Sequence, residues 1–224
     1  MLNVIIPYRN REANLKKLVS HLHWFLPRNS INSYSIIVVE QDDDKVFNKG
    51  KLMNTGFKIR SEFEEKTLDH YVFHDVDLIP LEADYSFYEN PIHLCPIVSQ
   101  FDYKLPYENI FGGVTMFTKN AFTKVNGYST RFYGWGAEDD DMFNRILAVG
   151  LTPHRRNYGA FLSLDHERIY DPVNVNLENV KIMGDAVKEY IATKEIKEGL
   201  STTNMKINSI GEIFDCVHYK VTDI

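Results

Sequence analysis

Cysteine is nearly missing from this chain of 224 residues, which carries only Cys95 and Cys216. Two thiols cannot build a disulfide framework and these lack metal-ligand spacing, so both are expected in the core of a protein kept in a reducing compartment. Long apolar runs are missing too: no stretch approaches the roughly eighteen residues that a membrane span needs. Met1 is followed at once by "LNVIIPY" rather than by a signal peptide, which suggests a cytoplasmic chain or a trimmed one. A basic excess is absent, since 25 Lys and Arg face 31 acids for a net charge of −6. Nucleic acid is therefore not expected as a partner. There is no G-x-x-x-x-G-K-[ST] loop and no G-x-G-x-x-G after the first strand, so P-loop and Rossmann dinucleotide sites are excluded. Repeats, low-complexity tracts and long linkers are lacking as well. What remains, with 44% hydrophobic residues, is enough for one large core and a single domain over 1–224.

The pattern that is present alternates strand and helix, as parallel α/β sheets do. "LNVIIPY" (2–8) reads as a buried strand. A helix follows with Leu15, Leu18, Val19, Leu22 and Phe25 on one side, stopping before Pro27. "YSIIVVEQ" (34–41) is the second strand, a helix spans about 48–62, and "HYVFHDVDLIP" (70–80) is the third strand. "FGGVTMFTK" (111–119) and "GAFLSLDH" (159–166) read as further strands. A helix with Leu177, Val180, Met183, Val187 and Ile191 is expected to cover the sheet, and "NMKINSIGEIFDCVHYKV" to form a hairpin. The expected whole is one mixed sheet with helices on its faces.

Polar residues gather at the carboxyl ends of these strands: Pro7, Arg9, Asn10 and Arg11 after the first, Glu40 to Asp44 after the second, Asp75 and Asp77 after the third. In an open α/β sheet that edge binds ligands. With period two, Asp75 and Asp77 would share one side of an extended segment, an arrangement suited to a hard divalent cation. D-x-D alone is common and often only a pair of loop acids. Arginines on the neighbouring strand end add a second element, because guanidinium and metal together suit a nucleoside diphosphate. His166, closing its strand before a polar loop, is a candidate third element, as imidazole with carboxylate is a reasonable Mn²⁺ set.

"YGWGAEDDDMFNRI" (133–146) places four consecutive acids ahead of Met142, Phe143, Ile146, Leu147 and Val149, which recur on one helical face. Acids in a first helical turn are favoured by free N–H groups and by the helix dipole. At about 100° per residue the four cannot share a direction. Asp141 is expected to point outward into a solvated pair with Arg145. Asp139 falls near the middle of the apolar stripe and should face inward beside Trp135, where desolvation is costly and a task is to be sought.

"IIPYRNRE", "FNKGKLMNTGF", "DVDLIP", "LPY", "FGGV" and "GWGAEDDDMFNR", with His166 downstream, resemble the β-1,4-galactosyltransferase family in order and spacing over nearly the whole chain. The resemblance implies an α/β GT-A fold and an inverting, Mn²⁺-dependent transfer of a hexose from a UDP-sugar to a hydroxyl of a carbohydrate acceptor. Mg²⁺ is a possible substitute ion, and peripheral membrane association is compatible with it. Cytoplasmic placement in a bacterial-type enzyme, or a trimmed Golgi-lumenal domain, is what it implies for location. By position, Asp139 resembles the catalytic base, and Asp77 and His166 the metal ligands. Pro7, Arg9, Arg11, Phe47, Lys49, Asp75, Val76, Ile110, Gly113 and Trp135 match the donor site. Tyr107, Tyr133, Glu138 and Asp140 match the acceptor side.

Several positions depart from the family pattern. Ile110 replaces a tyrosine beside the donor's C2 substituent and leaves room for an N-acetyl group, so UDP-GalNAc competes with UDP-Gal as the expected donor. Lys49 replaces an arginine, exchanging a planar fork for a point charge. Ser163 lies where several members supply a Met metal ligand. Ala137 for glycine and Tyr133 for tryptophan read as mild changes, while 167–180 departs most. A metal-dependent hydrolase of nucleoside diphosphate sugars and a non-catalytic sugar-binding module are the rival readings, and the set of Tyr107, Tyr133 and Trp135 favours sugar stacking over the former.

Overall fold

The first strand, β1 (Leu2–Tyr8), is buried along its whole length, as an apolar run without alternation must be when both faces of its sheet are covered. In this computed structural model, residues 1–62, 69–165 and 176–223 are described. The chain continues through α1 (Glu12–Arg28), β2 (Tyr34–Gln41), α2 (Lys49–Ser61), β3 (His70–His74), β4 (Leu78–Glu82), β5 (Ile92–His93), β6 (Ile97–Val98) and β7 (Val114–Thr118). Then come α3 (Lys119–Lys124), α4 (Glu138–Ala148), β8 (His154–Arg155), β9 (Ala160–Ser163), α5 (Leu177–Thr193), β10 (Met205–Ile213) and β11 (Cys216–Asp223). Helix α1 runs through Pro27 rather than stopping ahead of it and ends one residue later at Arg28, where the proline forfeits the one ladder hydrogen bond its own N–H would have made.

Eight strands form a mixed sheet in the order β10-β11-β2-β1-β3-β7-β5-β8. Strand β1 pairs in parallel with β2 and β3, and the tail hairpin joins through β11 parallel to β2. The expectation of one sheet is corrected: β4, β9 and β6 make a second, three-stranded sheet. The third expected strand therefore ends at His74, and the chain turns at Asp75–Asp77 into β4.

Alternation divides the core. Leu2, Val4 and Ile6 pack with Leu15, Leu18 and Leu22 of α1, while Ile5 packs on the other face with Leu52, Met53 and Phe57 of α2 and with Met142 and Ile146 of α4. Both cysteines are free and buried, as expected of core residues. Helix α5 departs from its expectation, for Leu177, Val180 and Ile191 are exposed and the buried stripe is Asn179, Ala186 and Tyr190. That stripe lies against α4 rather than the sheet. Among the described residues no helix is long and apolar enough to cross a membrane.

Candidate active site

Three element ends converge at the carboxyl edge of the large sheet. Lys49 opens α2 behind Asn48, whose side chain caps the helix by accepting the Lys51 N–H at 2.9 Å. Asp75 follows β3, and Glu138 and Asp139 open α4. The Lys49 ammonium lies 2.9 Å from Asp75, 3.3 Å from Asp139 and 3.4 Å from Glu138. One cation thus serves three carboxylates. Asp139 faces inward as expected, with its side chain still 28% exposed towards the crevice. Enclosure pushes its carboxyl well above the usual carboxylate range; the Lys49 ammonium opposes this, and Glu138 and Asp75 add to it. Lys49 is held charged: burial disfavours its ammonium, but Asp139, Asp75 and Glu138 outweigh that loss.

Behind Asp139 stands Gly112, where any Cβ would overlap the carboxylate. The Gly112 carbonyl accepts from His93 Nε2 at 3.0 Å and from the Cys95 thiol at 3.1 Å. Since a carbonyl only accepts, the His93 proton sits on Nε2, leaving Nδ1 to accept from Arg155 Nε at 3.3 Å. Burial and the Arg155 charge together depress the His93 pKa to about 3, so the ring is neutral. Arg155 also donates to the carbonyls of Glu108 at 2.7 Å and Ile110 at 3.0 Å, which fixes the segment carrying Tyr107 and Ile110.

The expected D-x-D geometry is corrected in its backbone. Asp75–Asp77 is a turn, with Leu78 N–H reaching the Asp75 carbonyl at 3.4 Å, because β4 must leave for the second sheet. Asp75 N–H bonds Gly113 at 2.9 Å, and Gly113 holds a φ of +72°. Val76 is buried in the α1-side core. Arg11 meets Asp77 at 3.3 Å, while Arg9 lies over the Phe47 ring at 5.3 Å and donates to the Lys45 carbonyl at 2.7 Å. Pro7 is buried at the end of β1. Tyr107, half-exposed, donates to Asp140 at 2.9 Å. Trp135 is 57% exposed. The Tyr133 hydroxyl is engaged by Asp223 at 3.2 Å and Lys51 at 3.0 Å, in a hollow of about 540 Å³.

Asp141 overturns the solvated-pair expectation. It and Arg145 are fully buried, 2.6 Å apart, with the Tyr190 hydroxyl donating to Asp141 at 3.1 Å. Arg145 also pairs with Glu198 and donates to the Glu198 and Gly127 carbonyls at 2.8 and 3.3 Å. The i,i+4 geometry is as expected; the burial is not, because the packing of α5 and 195–203 on that face is a tertiary fact. Ala137, read as a mild change, sits at φ +73° as the N-cap of α4, a left-handed position where Cβ is strained.

His166 lies outside the described residues. Among the described residues no three His, Cys, Asp or Glu side chains converge as a metal cage. The Asp77 carbonyl does accept the Leu164 N–H at 2.7 Å, which brings the end of β9 beside Asp77. Ser163 is turned to Gln100 at 3.3 Å.

Residues 1–91 match the N-terminal region of glycosyl transferase group 7, and 93–167 match a domain described as the N-terminal domain of galactosyltransferase. Human beta-1,4-galactosyltransferase 4 is 36% identical over 213 residues, covering 92% of this chain and 59% of that protein. The chain belongs to the β-1,4-galactosyltransferase family. It spans about three-fifths of the length of this curated relative. Among solved structures, a single-residue mutant of Drosophila beta-1,4-galactosyltransferase 7 in complex with manganese, UDP-Gal and xylobiose superposes with a TM-score of 0.79 at 28% identity, covering 100% of this chain and 94% of that one. A Pyrobaculum calidifontis mannosyltransferase, crystallised with GDP-Man and Mn²⁺, shares the fold alone: TM-score 0.54 at 13% identity, over 88% of this chain and 65% of that one. The fold is that of the GT-A glycosyltransferases.

Within this galactosyltransferase frame, the sequence did not point to His93, Arg155 or Asn179, and it named Arg145 only as the solvated partner of Asp141. For Asn179 there was no signal, because the apolar stripe of Leu177, Val180 and Met183 placed it off the expected buried face and only the structure turns it inward.

Proposed function

We propose that this chain is an inverting glycosyltransferase that moves a hexose from a UDP-sugar to a hydroxyl of an acceptor sugar, forming a β-1,4 linkage. The observation that carries the reading is Asp139: a crevice-facing carboxylate whose proton affinity is raised, set against Gly112 at the ligand-binding edge of a GT-A sheet. An acceptor hydroxyl is a poor nucleophile, and Asp139 takes its proton as the oxygen attacks the anomeric carbon from the face opposite the nucleotide. Glu138 and Asp140 accept hydrogen bonds from sugar hydroxyls, with Tyr107 and Trp135 as stacking surfaces. Arg9 and Arg11 bind the diphosphate, and Phe47 lies against the nucleotide. Tyr133 borders the acceptor.

The Asp77 backbone carbonyl takes the Leu164 N–H and its carboxylate meets Arg11, and the hard carboxylate oxygen together with the imidazole of His166, two residues beyond Leu164 in sequence, is a donor set whose chemistry fits a manganese site completed by pyrophosphate oxygens. Manganese bound there would offset charge on the departing diphosphate. Mg²⁺ is the substitute to test. UDP-Gal is the donor proposed first, in line with the relatives. Ile110, aliphatic and held by Arg155, supports UDP-GalNAc as a second donor.

The test is UDP release with Mn²⁺ or Mg²⁺, each of UDP-Gal, UDP-GalNAc, UDP-Glc and UDP-GlcNAc, and a panel of acceptor sugars. Acceptor-dependent release is expected. Release that ignores the acceptor identifies a hydrolase, and sugar binding without release a lectin; either result ends the proposal. Asp77→Ala is expected to lose both activity and the metal requirement.

A further inference from the structure

We infer that Asn179 is a positioning residue for the transfer, the α5 side chain that holds the loop bearing Trp135 in the place from which α4 begins. Asn179 is 2% exposed, whereas its neighbours Leu177 and Glu178 face solvent. Its Nδ2 lies 2.9 Å from the carbonyl oxygen of Gly136, 3.2 Å from that of Tyr133 and 3.4 Å from that of Trp135. A single amide group thus donates across the loop. Asn176, the N-cap of α5, accepts the Asn179 N–H at 3.3 Å and adds its own donor to the Tyr133 carbonyl at 3.4 Å. The cap of one helix is therefore also the clasp of another helix's entry loop.

The loop needs such a partner because it has little packing of its own. Gly134, Gly136 and Ala137 all hold positive φ, at 74°, 103° and 73°, and a Cβ built on Gly136 would meet nothing. Trp135 projects outward. What orders a segment of this kind is satisfaction of its backbone groups, and carbonyls turned towards a buried amide lose that satisfaction when the amide is removed. At the far end of α5 the Tyr190 hydroxyl bonds Asp141 at 3.1 Å, so α5 grips α4 on both sides of Asp139 in sequence. Asn179 fixes the leading side and Tyr190 the trailing one.

The kinetic part of this inference rests on the transferase reading; the structural part does not. Asn179→Asp keeps the volume and turns the donor into an acceptor, and Asn179→Ala removes it. Hydrogen exchange at the Gly134 amide, which bonds the Phe47 carbonyl at 2.8 Å, reports loop order. The chain has two tryptophans, so a Trp24→Phe background leaves Trp135 as a lone fluorophore whose anisotropy reports the same loop. Both variants are expected to speed Gly134 exchange about tenfold, the order for one or two lost hydrogen bonds. Trp135 anisotropy should fall, amides of β1 and β3 should be unaffected, and the donor KM should rise about tenfold with the pH profile of kcat retained. Asn176→Ala, a milder cut at a less buried site, should move every readout the same way by less.

Wild-type loop exchange in Asn179→Asp would overturn the inference, as would acceleration spread evenly over the core strands. If either Asn179 variant fails to fold, loop exchange in Asn176→Ala decides the matter in the same two ways. Should the unmodified protein release no UDP with any donor, the proposed function falls while the loop measurement still judges Asn179.

Discussion

Asp139 and Asp141 leave the same turn of α4 in different directions, and their partners differ in number as well as in kind. Asp139 shares the Lys49 ammonium with Asp75 and Glu138, so three carboxylates compete for one cation at an edge still open to the crevice. Asp141 lies in full enclosure against Arg145, which also pairs with Glu198, and Glu198 has a second cation in Arg131 at 3.3 Å. Two carboxylates and two guanidiniums balance there. Burial raises the proton affinity of both acids, but the balanced cluster holds elements together, whereas the unbalanced one, at an exposed edge, leaves oxygens available for a ligand. The two acids thus separate chemistry from architecture within a single turn.

The sharpest way to break that comparison is to neutralise each site in turn. Asp139→Asn is expected to fold normally and to lose roughly 10²–10⁴ in turnover, the usual worth of a general base, with UDP-sugar affinity kept. Steady-state kinetics beside isothermal titration of the donor would check it, and normal turnover would remove Asp139 from the mechanism. Arg145→Met should do the reverse. It strands Asp141 in a fully buried place and removes the donor to the Glu198 and Gly127 carbonyls, at a cost of about 3–5 kcal/mol in stability. Urea unfolding measures this, and a loss below about 1 kcal/mol would show that the pair is not the brace described.

Lys49 offers a finer cut. Its ammonium opposes the upward pressure on Asp139, with Glu138 and Asp75 on the other side. Replacing it by Met removes the opposition, so the Asp139 carboxyl must rise further. A general base works only when deprotonated, so the acid limb of the kcat profile should move to higher pH in Lys49→Met. The profile of kcat against pH decides; a limb that stays in place, or moves down, would mean that Asp139 is not the group titrating. The same sign governs stability. A carboxyl that binds its proton more tightly in the folded than in the unfolded chain lowers stability as pH rises from the unfolded value towards the folded one.

How far the sequence disclosed this site follows the range of the forces involved. Periodicity reports faces of local elements, which is why β1, α1, β2, the tail hairpin and the inward direction of Asp139 were legible from neighbours in the chain. It does not report what covers a face. Asp141 and Arg145 sit at the spacing of an exposed pair, and only the arrival of α5 and of Glu198, more than fifty residues downstream, buries them. The stripe on α5 misled for the same reason: Leu177, Val180 and Ile191 look like a core face, whereas the buried side is chosen by Asn179 meeting a loop and Tyr190 meeting an acid. At Asp75–Asp77 alternation failed because the chain changes sheets there, a choice made by the pairing of β4 with β9 some eighty residues away. The motif residues drew attention to the crevice, while the groups that seat them, His93 behind Gly112 and Arg155 beneath Ile110, carry no local pattern at all.

The smallest predicted effect tests where the two environments divide. Ala137 joins the Trp135 loop to α4 at φ +73° and makes no side-chain cap. A left-handed alanine is strained by about 1–2 kcal/mol relative to glycine. Glycine in turn gives the unfolded chain extra freedom worth about 0.4–1 kcal/mol, so Ala137→Gly should gain a net amount of roughly 0.5 kcal/mol. For a chain of this length that is a rise in Tm of about 1–2 °C, within reach of calorimetry. Turnover should change little, since the carbonyls that Asn179 holds lie just ahead of residue 137 and the Arg145 brace lies behind it. A fall in Tm together with a fall in turnover would instead mean that the alanine itself limits the loop, and that the division between Asp139 and Asp141 is set at this junction rather than by their partners.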